Sequence, residues 1–200
     1  MKFCKKCFYP ENAKPTIIFD DNGICSGCNY NYSRKDDDVD WIKPLAQFIR
    51  NVFNRGKKLF GICFGHQMIH YSLGGVVMRS QAGWGLGAYE VTFLQDFEQL
   101  YAGNKMSILA IHQDQVIQPA ECFDIIAGND FCPNYLTRYN KQVLTIQGHP
   151  EFNLKFFSAL IIESNNKFPP IALKNAGKEH TSEKDRLYFN HCVNQFFLDK

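Results

Sequence analysis

One stretch constrains this chain more than any other. In KKLFGICFGHQMIHYSLGG, Lys57 to Gly75, an apolar run leads through a cysteine set between glycines into a helical pattern. The spacing predicts a buried strand ending at Ile62, a sharp turn at Cys63 and a helix from Phe64 to about Leu73, which together make a nucleophile elbow. Gly61 and Gly65 are expected to keep the strand and helix backbones bare where they approach. Such an elbow lifts the Cys63 sulfur above a sheet at a helix N-terminus, where exposed N–H groups and the helix dipole favour a thiolate. The Phe64 N–H then becomes a donor to a developing oxyanion. A structural cysteine at a strand end would read the same way, so the elbow needs a partner to become a site.

The partner is found in LTIQGHPEF, Leu144 to Phe152, where a strand delivers His149 and, two residues on, Glu151. Cysteine, histidine and glutamate supply the nucleophile, the base and the group that orients the base for acyl transfer. The other histidines are weaker candidates. His66 and His70 fall on the elbow helix and read as packing or surface residues, while His180 and His191 lie in the polar tail and the final helix. His112, in IHQDQV, stays a minor candidate because Asp114 follows it.

The rest of the chain fits an α/β layered fold. Trp41 to Arg55 place Trp41, Leu45, Phe48, Ile49, Val52 and Phe53 near helical spacing, with Gly56 as a stop. Short apolar runs follow at Lys58–Cys63, Gly75–Met78, Ala88–Leu94, Met106–Ile111, Phe123–Ala127, Tyr135–Tyr139 and Val143–Ile146, and each reads as a strand. Helical patterns close the chain at Leu154–Ser164 and Glu183–Leu198.

Charge and cysteine spacing narrow the function classes. With 22 basic against 20 acidic side chains the formal net charge is +2, which makes no electrostatic case for nucleic acid. No run approaches the roughly 18 apolar residues of a membrane span, and the N-terminus lacks the apolar core of a signal peptide, so a cytoplasmic protein is expected. Four of the eight cysteines, Cys4, Cys7, Cys25 and Cys28, form two CxxC pairs. That pattern predicts a structural zinc site with four sulfur ligands and no open position, although four unrelated reduced thiols would carry the same spacing. A short strand at Thr16–Phe19 and an Asp21-Asn22-Gly23 turn would bring the pairs together. The expected organisation is a zinc-ribbon-like segment over 1–32 and a larger domain over 40–200, joined by the charged stretch from Ser33 to Asp40.

GICFGHQ, Gly61 to Gln67, and GHPE, Gly148 to Glu151, together resemble the elbow and the His-Glu segment of the class I glutamine amidotransferases. WIKPLAQFIR, YSLGG, GWGLGAYEV, IHQDQV and NDFCPNYL are similar to the stand-alone branch related to the glutaminase domain of GMP synthase. The resemblance implies a mostly parallel sheet flanked by helices. It implies a glutaminase in which Cys63 attacks the side-chain amide, a γ-glutamyl thioester forms, ammonia leaves and His149, oriented by Glu151, activates water. By its place in the motif Gln67 would bind the substrate glutamine. No organic cofactor is implied, and the partner would be a separate ATP-dependent synthetase that accepts the ammonia.

Residues 1 to about 30 resemble the cysteine-paired start of the N-acetyl sugar amidotransferases, which hints at sugar or nucleotide biosynthesis. The class I amidotransferases place two strands and a glycine-rich oxyanion loop ahead of the helix that here begins near Trp41, whereas forty residues precede it in this sequence. One alternative is that Gly23 to Ser33 replace the second strand and loop, with Ser26 and Gly27 near the oxyanion position and the Gly27 N–H as a donor, although Cys25 and Cys28 then serve two assignments. Three functions therefore follow from the sequence. They are an ammonia-supplying glutaminase, an impaired zinc-containing binding or regulatory module on the same scaffold, and a hydrolase of another γ-glutamyl substrate.

Overall fold

The computed structural model describes residues 19, 21–23, 41–164, 168–176 and 183–199. The expected zinc ligands Cys4, Cys7, Cys25 and Cys28, the Gly27 donor and, except for Phe19, the strand at Thr16–Phe19 lie outside them. Within them, Asp21 to Gly23 form the expected turn, with Gly23 at φ 74°.

Helix α1 (Ile42–Asn54) turns Ala46 and Ile49 inward, against Met68, Ile69 and Val143. Gly56, at φ 63°, ends it: its N–H reaches Phe53 O and the Lys57 N–H reaches Val52 O, the paired bonds of a Schellman cap. The chain then enters β1 (Leu59–Ile62), passes the elbow into α2 (Phe64–Ser72), and continues through β2 (Val76–Arg79), β3 (Gly85–Phe93), β4 (Lys105–His112), β5 (Asp114–Gln118), β6 (Asp124–Gly128), β7 (Leu136–Tyr139) and β8 (Val143–Ile146). Helices α3 (Leu154–Ser164), α4 (Pro170–Ala176) and α5 (Glu183–Leu198) follow.

Among the described residues six strands form one sheet in the order β1-β8-β7-β6-β3-β4, while β2 and β5 pair as a separate ribbon. The α/β layering matches expectation, but the sheet among the described residues is mixed. Only β1 and β8 run parallel, and the remaining neighbours are antiparallel. Short connections from β6 through β8 enforce this, since a parallel neighbour needs a long crossover. Strand β4 is covered on both faces. Met106 and Ile108 join the cluster that includes Phe189 of α5, whereas Leu109 and Ile111 pack with Phe157 of α3 and Ala172 of α4. A period of two along the strand thus assigns alternate residues to two different helical layers.

Two elements escape the sequence reading. Strand β5 carries Asp114, Gln115 and Gln118 among few apolar residues, so no apolar run marks it. Helix α4 begins after Pro169 with Pro170 at its first position, where a missing N–H costs nothing.

Beneath α2 a buried polar chain runs from Ala120 N–H to His70 Nδ1, from His70 Nε2 to the Thr137 hydroxyl, on to the Thr145 hydroxyl and to His66 Nδ1. The links are 3.1, 2.8, 2.7 and 2.7 Å. Both rings are packing residues. Burial pushes His70 down to about 4, and burial, then the neighbouring His70 and His112, holds His66 well below the usual range. The unfolded chain takes up these protons near pH 6.5 while the fold refuses them, so stability is full above that pH and is lost as pH falls towards 4. The urea midpoint should fall steadily across that window, and it should fall less in a His70→Gln variant that still folds.

Candidate active site

The elbow forms as its sequence demands. Cys63 sits at φ 48° and ψ −101°, a conformation few non-glycine residues adopt, held by its N–H to Ile146 O at 2.8 Å and by Gln67 N–H to its carbonyl at 3.0 Å. A Cβ at Gly61 would lie 2.7 Å from Gly65 C and 2.8 Å from both Gly65 O and His66 N. Strand and helix therefore meet backbone to backbone on the Gly61 side. At Gly65 the expectation needs correction, because a Cβ there meets nothing within 4 Å. The Cys63 sulfur is half-buried, 3.6 Å from Ile111 O and 3.6 Å from Gln147 Nε2. Phe64 opens α2, so its N–H belongs to the unpaired first turn of the helix.

His149 arrives from the end of β8. Gly148 is obligatory there, since a Cβ would fall 2.0 Å from the Tyr135 hydroxyl. The His149 N–H donates to Leu109 O at 2.7 Å, Nδ1 lies 2.6 Å from Glu151 Oε1, and one ring face stacks on Phe152 at 4.2 Å and 8°. Burial lowers the imidazole's affinity for a proton, but its interactions with nearby Cys63 and with Glu151 outweigh that and raise His149 to about 9. The structure thus pairs His149 with Glu151 and sets both near the Cys63 elbow. An imidazolium poised between a sulfur and a carboxylate can hand its proton to a leaving amine and then act as a base.

Gln67 is buried, and its Nε2 donates to Asp114 O at 2.7 Å and to Gln147 Oε1 at 3.3 Å. His112 is buried too. Its Nδ1 meets the Asp114 carbonyl at 3.2 Å rather than the carboxylate, and burial pushes the ring down to about 4. Cys132 is buried, and that burial raises its thiol, while burial likewise raises Cys192; neither has the surroundings of a nucleophile. His191 is exposed on α5. Two site neighbours escape the sequence reading, Gln147 and Phe152. Gln147 is a polar residue directly after the apolar run of β8, and only the structure shows that it is fully buried.

Among the described residues no group of three or more His, Cys, Asp or Glu could hold a metal ion, and no described helix is long and apolar enough to cross a membrane.

The family described as glutamine amidotransferase class-I matches residues 23–166. That match begins inside the expected zinc-ribbon segment, upstream of the expected boundary at 40. The chain is 31% identical over 169 residues to gamma-glutamyl peptidase 3 of Arabidopsis thaliana, covering 80% of this chain and 68% of the relative. It is 33% identical over 105 residues to a glutamine-hydrolyzing GMP synthase of Clostridium acetobutylicum, covering 51% of this chain and 20% of that one. In fold it is similar to a crystal structure of a glutamine amidotransferase of Thermotoga maritima, with a TM-score of 0.66, 18% identity, and coverage of 81% of this chain and 72% of the other.

Proposed function

Since the chain belongs to the class I glutamine amidotransferase family, we propose that it cleaves a γ-glutamyl amide bond through a thioester on Cys63. The observation that supports this reading is the strained Cys63 elbow at the start of α2, with the His149–Glu151 pair at 2.6 Å delivered from the end of β8 and electrostatically coupled to Cys63. The Cys63 sulfur attacks the γ-carbonyl carbon, and the tetrahedral oxygen is stabilised by the Phe64 N–H. The His149 imidazolium gives its proton to the departing nitrogen as the C–N bond breaks. Neutral His149 then takes a proton from water, whose oxygen opens the thioester and releases the glutamyl acid. Glu151 keeps Nδ1 hydrogen-bonded throughout, so the same ring nitrogen faces the reaction in both halves. The second oxyanion donor is assigned to Gly27 on sequence grounds alone.

The departing nitrogen distinguishes two readings. Similarity to a gamma-glutamyl peptidase over most of the chain favours an amine or amino acid as the leaving group. Similarity to a GMP synthase favours glutamine as substrate, ammonia as product and a separate ATP-dependent synthetase as partner. Parallel assays with glutamine and a γ-glutamyl dipeptide settle the choice. Release of glutamate from the dipeptide at a clearly higher kcat/KM supports the peptidase reading, and preference for glutamine supports ammonia supply. No turnover of either, together with no Cys63 adduct from a glutamine-analogue electrophile, overturns both and favours an impaired binding module.

The paired cysteine spacing carries a separate expectation. Protein purified without added zinc should hold one ion per chain on Cys4, Cys7, Cys25 and Cys28, and Cys25→Ser should lower the occupancy. Metal analysis checks this. Metal-free protein would leave the two CxxC pairs as ordinary reduced thiols.

A further inference from the structure

We propose that Gln147 is a catalytic residue that holds the Cys63 sulfur ready for attack, and that Gln67 is a positioning residue that fixes which end of the Gln147 amide faces the sulfur. The role in turnover rests on the thioester reading above; the effect on the thiol does not.

The orientation follows from donors and acceptors. The Asp114 carbonyl can only accept, so the atom of Gln67 that meets it at 2.7 Å must be the nitrogen. A second hydrogen on that nitrogen points to the Gln147 side chain at 3.3 Å, which must present its oxygen there. The Gln147 nitrogen is then left facing the Cys63 sulfur at 3.6 Å. One backbone carbonyl thereby sets two amides and delivers an N–H donor to the nucleophile.

Beside the His149 imidazole, the sulfur also faces the Ile111 carbonyl at 3.6 Å, and the Gln147 N–H offsets that acceptor. A carbonyl oxygen accepts from a thiol and repels a thiolate, whereas an amide N–H does the reverse. Burial strengthens the effect. Gln147 is fully buried and Gln67 nearly so, which removes the water that would otherwise compete for these bonds. A flipped Gln147 amide would place a second carbonyl-type oxygen against the sulfur, so the Gln67 contact protects reactivity as well as geometry.

The test is the rate of Cys63 alkylation by iodoacetamide, followed by peptide mapping across a pH series, which needs no γ-glutamyl substrate. Gln147→Leu should slow labelling at neutral pH about tenfold, the size expected for losing one hydrogen bond to a charged group. Gln147→Glu keeps the acceptor for Gln67 but sets an oxygen against the sulfur, and it should slow labelling at least as much. Gln67→Leu should slow it less, and should add nothing when combined with Gln147→Leu, because the two act through one contact. Thermal melting confirms that each variant is folded. Unchanged labelling in folded Gln147→Leu and Gln147→Glu overturns the proposal, and a full additional effect of Gln67→Leu on the Gln147→Leu background overturns the relay. Normal labelling effects without any γ-glutamyl turnover would defeat the functional reading while leaving the amide relay intact.

Discussion

Cys63→Ala is expected to remove all γ-glutamyl release and all labelling by a glutamine-analogue electrophile, because no other described thiol sits on the elbow beside an imidazole. His149→Ala should lower kcat by about a thousandfold or more, since both the proton for the leaving nitrogen and the base for water are lost together. Glu151→Gln should cost less, on the order of tenfold to a hundredfold. Its carboxylate is 45% exposed, so water can partly take its place against Nδ1.

The Glu151 variant also carries a signed pH effect. His149 is raised to about 9 with the Glu151 hydrogen bond and charge among the causes, so removing the charge must lower it. The imidazolium is the form that protonates the leaving group, and it disappears as pH rises through that value. The alkaline limb of the rate profile should therefore begin near pH 9 in the parent chain and move to lower pH in Glu151→Gln. A limb that stays in place would mean that another group controls it.

Much of this site is local, and local features are legible in a sequence. Cys63 between its strand and helix, and His149 two residues from Glu151, need only a few consecutive residues to declare themselves. Helices α3 and α5 are bounded by the sequence pattern as the structure bounds them, because each is a continuous run with no internal glycine or proline to break it. Strand direction is different. A strand buried on both faces, like β8, reads as a bare apolar run whether its neighbour runs with it or against it. The mixed sheet was therefore invisible, as was β5, whose burial depends on its β2 partner rather than on its own composition. Gln147 shows the same limit at one residue. Its contacts are Cys63 and Gln67, both far back in the chain, so no window around it announces a role.

The two glycines of the elbow look equivalent in the sequence, and the structure separates them. Gly61→Ala forces a Cβ to within 2.7 to 2.8 Å of three backbone atoms in Gly65 and His66, so β1 and α2 must move apart. Backbone atoms cannot rotate away as a side chain could, and overpacking of this kind costs about 3 kcal/mol. For a domain of this size that is a Tm lower by about 10 °C. The displacement also relaxes the strained Cys63 backbone, which depends on Ile146 O and on the first turn of α2 for its geometry. Labelling of Cys63 should therefore fall in the fraction of Gly61→Ala that still folds. Gly65→Ala has open space around the new methyl and lies in the first turn of a helix, where alanine is favoured over glycine by about 0.5 to 1 kcal/mol. Its Tm should stay level or rise by about 3 °C. Calorimetry on the two variants distinguishes the cases. Equal losses in both would mean that Gly65 is as tightly enclosed as Gly61, and the close approach of strand and helix would then have to be shared between them.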